Sequence, residues 1–293
     1  MMRTDRRADA FAACRPRLLG IAYGILGELG EAEDIVQEAW LRWDGADHAE
    51  IRSGEAFLVT ITTRLAVDRL RSAQRRRETY VGPWLPEPLV TDADGARDDP
   101  ERLAIEAERL SLALLGALER LNPVERAVLI LRDAFDLEYT EIADVVDRSP
   151  ANVRQIAGRA RAHAGDESRR RPVSADQQQR LATAFLAAAL AGDIDAIRSA
   201  LAADAILYSD GGGVVTAARK PIYGADKIAR FLVGVQRKPA FVPDIEYTIV
   251  SVNGDFGVRM LSPTAGFLGI VAVQVQDAAI VAVRIFSNPE RFS

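Results

Sequence analysis

From Glu138 to Ala164 the chain reads EYTEIADVVDRSPANVRQIAGRARAHA, and this stretch narrows the choice of fold more than any other. Two short amphipathic runs flank a tight break. Thr140 is predicted to cap the first run ahead of Glu141, with Ile142, Ala143 and Val146 turned to a core. Asp147, Arg148 and Ser149 interrupt the pattern. Ser149 before Pro150 then starts a second helix, because the serine oxygen can accept an orphan N–H and proline at the first helical position needs no partner. On that helix Val153, Ile156, Ala157 and Ala160 make a narrow apolar stripe. Ala151, Asn152, Arg154, Gln155, Gly158 and Arg159 point the other way. Arginine can fork onto guanine, and asparagine or glutamine onto adenine. Arg159 and Arg161 suit phosphates, and Gly158 permits close approach to a groove. The plainer alternative is a helical hairpin with a solvated basic face.

A length of 293 residues allows two domains or a few packed modules, and 48% hydrophobic residues is ample for cores. The formal net charge of −5 argues against a uniformly basic nucleic-acid binder. Any DNA contact must come from local clusters such as Arg75, Arg76 and Arg77, offset by acidic runs such as Asp92, Asp94, Asp98 and Asp99. The single cysteine, Cys14, excludes an internal disulfide framework and is expected to be a small buried packing residue. With only His48 and His163, no histidine metal cluster can be assembled, so neither metal nor cofactor is expected. The opening residues lack a signal-type apolar run, and no apolar run reaches membrane-spanning length. The expectation is a cytoplasmic chain with no membrane partner.

In chain order, Phe11 to Leu26 predicts a helix and Gly27 to Gly30 its exit. The next helix is predicted from Glu31 to Trp43. Ala32, Ile35, Val36, Ala39, Trp40 and Trp43 share its broad apolar face, and Asp34, Gln37, Glu38 and Leu41 line the opposite one. An acidic stripe ending in leucine fits a basic partner or simply a solvated face. Asp44 to Gly54 has no period and is predicted as a loop. A long helix then runs to about Arg77, packing on Phe57, Leu58, Ile61 and Leu65. Arg64, Asp68, Arg71 and Arg75 fall on one line of it, suited to a phosphate backbone or to a surface ion-pair ladder.

The runs GEAEDIVQEAWLRW, EAFLVTITTRLAVDRLR and LNPVERAVLILRDAFDLEYTEIADVVDRSPANVRQIAGRARAHA, in that order and spacing, resemble the extracytoplasmic-function (ECF) sigma factors of bacterial RNA polymerase. The resemblance covers about Phe11 to Ala164. It implies a first helical domain, region two, that binds the polymerase clamp and melts the minus-ten element, and a second, region four, that reads the minus-thirty-five element. Carried over, Asp34, Gln37, Glu38 and Leu41 fall on the clamp-binding helix. The loop with His48, Ile51, Arg52 and Ser53 lies where the family holds a flipped base, and Arg64, Arg71 and Arg75 to Arg77 hold the adjacent backbone. Ala151, Asn152, Arg154, Gln155, Gly158, Arg159 and Arg161 fall on the minus-thirty-five reader. The implied partners are core RNA polymerase, through its beta-prime clamp and beta flap, and promoter DNA.

Domains are expected at 1–79 and 101–170, both all-α, with a linker at 80–100. Its YVGPWLPEP run holds Trp84 and Leu85 between Pro83, Pro86 and Pro88, stiffened and costly to expose, so it should dock. Glu101 to Leu121 is predicted as one helix. From about 174 to 293, two helices give way to β-branched runs such as GIVAVQVQ and AIVAVRIF with a helix near Ala225 to Val235: an α+β domain with a curved antiparallel sheet. The order resembles the SnoaL-like, nuclear-transport-factor-two-like cone. Trp84, Leu85, Pro86, Glu87 and Pro88 together with Asp210, Gly211, Gly212 and Gly213 match the sigma subgroup that carries such an extension. That subgroup's terminal pattern, Asn-Pro followed by an acid and usually Lys-Leu, appears here as Asn288, Pro289, Glu290, Arg291 and Phe292, which keeps the charge type and not the residue identity of the last two. The resemblance implies that the extension tunes the factor in cis, with the 84–88 strip docking at the 210–213 loop. A small ligand in the cone has no name in the sequence.

Relatives of the cone include cyclases and isomerases, which use an acid or base deep in the pocket. The tail has no histidine, and its polar candidates are Asp210, Tyr223, Arg259 and Arg284. Asp210 beside three glycines is equally a turn residue. Two rivals stay open: a helix-turn-helix regulator with a ligand-sensing domain, and a cyclase-like enzyme with a DNA-binding appendage.

Overall fold

The computed structural model describes residues 2–49, 51–77, 82–92, 110–164, 173–215, 217–237, 242 and 244–289. The chain divides into two compact units, one of Met1–Glu78 with Asp98–Ser168, the other of Thr79–Arg97 with Arg169–Ser293.

The first unit is all-helical: α1 (Met2–Leu26), α2 (Leu29–Asp44), α3 (Gly54–Arg77), α4 (Leu112–Leu118), α5 (Pro123–Leu129), α6 (Tyr139–Val146) and α7 (Pro150–Ala164), with a π turn (Ile130–Ala134) extending α5. Gly27, at φ 74°, ends α1, where its N–H turns back to the Tyr23 carbonyl. Leu18, Ile21, Ala22, Ile25, Leu26, Ile35, Leu58 and Leu70 lie in the core of this unit, each no more than 1% exposed. Burying one such side chain contributes about 1.5–3 kcal/mol. Asn122 starts α5 with a full capping box to Glu125.

Three expectations change here. Thr140 does not cap α6; Glu138 does, in a reciprocal box with Glu141. Ser111, with extended backbone and its Oγ accepting from Leu114 N–H, starts α4, so the helix predicted from Glu101 does not run through this point; its earlier residues lie outside the described ones. Cys14 is half-buried, and burial pushes its thiol up.

The second unit is α+β. Helices α8 (Ala175–Ala191), α9 (Ile194–Ala200) and α10 (Ala225–Gln236) accompany strands β2 (Leu201–Asp210), β3 (Ile222–Tyr223), β4 (Glu246–Val252), β5 (Asp255–Ser262), β6 (Gly266–Gln276) and β7 (Ala279–Phe286). Ala182, Phe185, Ile197, Ile228, Leu207, Val273 and Val283 make the helix-to-sheet core. The sheet is mixed, because β2 pairs parallel to β7 while the other ladders are antiparallel. The order β1-β4-β5-β6-β7-β2-β3 begins with a strand from the linker, β1 (Val90–Asp92).

Candidate functional site

Helix α2 owes its orientation to Ala32, Ile35, Val36, Ala39 and Trp43, all buried. That leaves Asp34, Gln37 and Leu41 exposed and Glu38 half-exposed, bonded to Arg42 at 2.7 Å. Leu41 is 65% exposed, an apolar knob in an acidic rim.

The following loop is folded back. His48 Nε2 bonds the Trp43 carbonyl at 2.9 Å, its ring stands edge-on to Trp43 at 4.1 Å, and the indole N–H donates to the Arg7 carbonyl. Gly54 is required there, since a Cβ would meet Trp43 at 2.9 Å. Arg52 and Ser53 are exposed and Ile51 half-buried. Ser53 also accepts from Ala56 N–H.

On α3 the arginine line divides. Arg71 pairs with Asp68 at 2.8 Å. Arg64 reaches α6, where its Nε donates to the Val145 carbonyl at 2.9 Å and its Nη2 to the Asp144 carbonyl at 3.0 Å. These are orphan acceptors at a helix C-terminus, where a cation is favoured. The side chains of Arg75, Arg76 and Arg77 lie outside the described residues.

Two more arginines link the same halves of the unit. Arg17 Nη2 donates to the Phe135 carbonyl, and Arg126, 1% exposed, donates to the Gly24 carbonyl at 3.2 Å while pairing with Glu119 at 2.6 Å. Gly24 permits this contact, as a Cβ there would meet Ile130 Cδ1 at 2.9 Å and Leu110 Cδ2 at 3.1 Å.

Helix α7 matches its sequence reading closely. Ser149 Oγ accepts from Asn152 N–H, Val153, Ile156, Ala157 and Ala160 are buried, and Ala151, Asn152, Arg154, Gln155, Gly158 and Arg159 are exposed. Arg161 is less available, held by both Asp133 oxygens at 3.1 and 2.5 Å; hydrogen bonding to Asp133 raises its pKa further above the usual arginine range.

In the second unit Asp210 shapes its own loop, accepting from Gly212 N–H at 3.0 Å, while Ser287 N–H donates to the Asp210 carbonyl. A Cβ at Gly212, φ 62°, would fall 2.4 Å from the Asn288 side chain, so the glycine loop and the Asn288-Pro289 pair occupy one place. Gly82 lines a cavity of about 210 Å³ with Gly211, Gly213 and Arg219. Trp84 and Glu87 are half-buried, whereas Leu85, Pro86, Pro88 and Leu89 are buried. The strip then reaches the other side of the sheet. Leu89 N–H donates to Asn253 Oδ1 and Asn253 N–H to the Leu89 carbonyl, both at 2.9 Å, before Val90–Asp92 pair with β4. Five strand steps at about 4.8 Å need about 24 Å. The eight steps from Gly82 to Val90 supply about 25 Å at the roughly 3.1 Å per residue of an extended proline-rich run. Asn253 escaped the sequence reading. Its signal was Asn253-Gly254 between β-branched runs, a two-residue hairpin turn with φ 49° and 76°.

The enzyme candidates do separate jobs: Arg284 donates to Gln274 in a buried pair, Tyr223 is 58% exposed, and Asp210 serves its turn. No helix among the described residues is long and apolar enough to cross a membrane.

Family models for sigma-70 region 2 and sigma-70 region 4 match residues 10–76 and 111–163. The ECF RNA polymerase sigma factor SigJ of Mycobacterium tuberculosis is 36% identical over 298 residues, spanning 97% of this chain and 92% of that protein. This chain is an ECF sigma factor. The match continues through the C-terminal domain of the sigma factor. A probable ECF sigma factor, SigI of the same species, is 29% identical over 99% of the chain and 96% of its own length. The crystal structure of M. tuberculosis SigJ superposes with a TM-score of 0.77 at 33% identity, covering 97% of this chain and 98% of that one. As a member of the family it directs transcription initiation by RNA polymerase. The α1–α3 bundle is region 2, and α4–α7 form region 4.

Proposed function

We propose that this sigma factor brings core RNA polymerase to a two-part promoter, with α2 on the clamp, the 45–53 loop and α3 on the minus-ten element, and α7 on the minus-thirty-five element. The exposed Leu41 between Asp34, Gln37 and Glu38 carries this reading, since a regulator that binds DNA alone has no use for that face. Glu38→Lys is expected to weaken binding to core polymerase roughly tenfold, the scale of an interface hot spot, while leaving thermal stability unchanged. Fluorescence titration with purified core checks it; unchanged affinity with stable duplex binding in the absence of core favours the helix-turn-helix regulator instead.

The same geometry supports a resting state that is closed. Arg64 cannot serve the promoter backbone while its guanidinium sits on the α6 carbonyls, and Gly24 and Arg126 hold regions 2 and 4 together from the other side. The C-terminal domain acts on the same equilibrium through the linker. Arg77 and Gly82 are five residues apart, a reach of at most about 18 Å. Docking of Gly82–Asp92 on the sheet takes those residues out of the free chain that joins region 2 to region 4, and so limits how far the two regions can spread.

A further inference from the structure

Tyr139 stands at the first position of α6, outside the residues that the helix-turn-helix pattern assigns to DNA. It is half-buried, with the Arg132 guanidinium 5.0 Å and the Arg154 guanidinium 5.6 Å from its ring centroid. The two arginines differ in what else holds them. Arg132, in the π turn, donates to the Leu137 carbonyl at 2.8 Å and to Glu138 Oε1 at 3.2 Å. Arg154 makes no hydrogen bond or ion pair among the described residues, and its guanidinium lies over the ring. That contrast matters for reading a base. An ion pair orients an arginine by occupying its fork, as Asp133 does to Arg161. A ring face orients the guanidinium through its quadrupole and leaves the planar donors unspent. A guanine edge needs that fork, O6 and N7 together.

We propose that Tyr139 is a positioning residue for promoter recognition: its ring holds Arg154 over the exposed face of α7 with its donors available to a guanine in the major groove. The inference rests on α7 being the minus-thirty-five reader. The loss expected on removing the ring is roughly two- to fivefold in discrimination, the scale of an exposed cation–π contact.

The test is run-off transcription by holoenzyme made with the intact chain, on templates substituted one base at a time across the upstream element. Arg154→Ala should flatten the preference at one or two positions. Tyr139→Leu should flatten the same positions two- to fivefold, Tyr139→Phe should not, and the Tyr139→Leu, Arg154→Ala double variant should be no worse there than Arg154→Ala. In the free chain, Arg154 Nε–H relaxation by NMR should show an ordered side chain in wild type and Tyr139→Phe and a mobile one in Tyr139→Leu. A Tyr139→Leu defect equal on all templates, a Tyr139→Phe defect as large as that of leucine, or an unchanged Arg154 order overturns the positioning role alone. An Arg154→Ala variant that transcribes with an unaltered base preference overturns the reader assignment and the positioning role with it.

Discussion

Gly24→Val is expected to raise promoter-specific transcription and to expand the chain. Gly24 lies on the face of α1 that meets region 4, and even a bare Cβ would sit 2.9 Å from Ile130 and 3.1 Å from Leu110. Alanine presses only on side-chain ends that can shift, so its effect should be mild. The two γ carbons of valine overfill the seam, at a cost of about 1–3 kcal/mol. That is a shift of roughly 5- to 150-fold in the closed-to-open ratio. The helix itself does not suffer, since glycine is the poorer former of the two in a helix interior. Small-angle scattering should show a larger radius of gyration with undiminished helix content by circular dichroism. Arg126→Ala should act in the same direction, because it removes the buried bond to the Gly24 carbonyl. If Gly24→Val stays compact and transcribes less, the seam is part of the working fold and no resting clasp.

Asn253→Gly is expected to release the linker while sparing the hairpin that carries it. Glycine keeps the positive φ that the turn requires, so the change deletes only the side chain that holds Leu89. The buried Leu89 N–H then loses its acceptor, which costs about 1–3 kcal/mol. The strand it precedes has only three residues. Hydrogen exchange at Leu89 through Asp92 should quicken roughly 5- to 150-fold, with β4 and β5 unaltered, and transcription in vitro should rise. Unchanged protection of Leu89 would mean that the apolar strip alone fixes the linker. Faster exchange without any rise in transcription would separate linker docking from regulation.

What was legible in advance was local. The α7 stripe of Val153, Ile156, Ala157 and Ala160 and the Ser149-Pro150 start are set within a few residues of chain, and they stand as read. Thr140 failed as a cap because the helix starts two residues earlier, at Glu138, whose N–H is held by the Glu141 carboxylate, so Thr140 already lies inside the first turn. Strand β1 was illegible for another reason: Val90-Thr91-Asp92 is too short to show a period, and its partners Val252, Ser251 and Val250 lie about 160 residues away. The parallel β2–β7 ladder is equally non-local, joining the first and last long strands of the domain. Arg64 shows the deeper limit. An arginine on an exposed helix face reads the same whether its acceptor is a phosphate or the carbonyls of Asp144 and Val145, because both present oxygen with negative charge to one guanidinium. The residue type gave the chemistry of the acceptor, and only the fold distinguishes the closed partner from the open one.

The most direct measurement is run-off transcription from promoter libraries with purified core polymerase, comparing the intact chain with one ending at Pro172 and with Gly24→Val. Specific initiated transcripts should appear with all three, weakest with the intact chain and stronger when either the C-terminal domain or the seam is removed. Absence of any specific transcript from every form would contradict promoter-directed initiation itself, and equal activity from all three would contradict the restraint built on Gly24 and the linker.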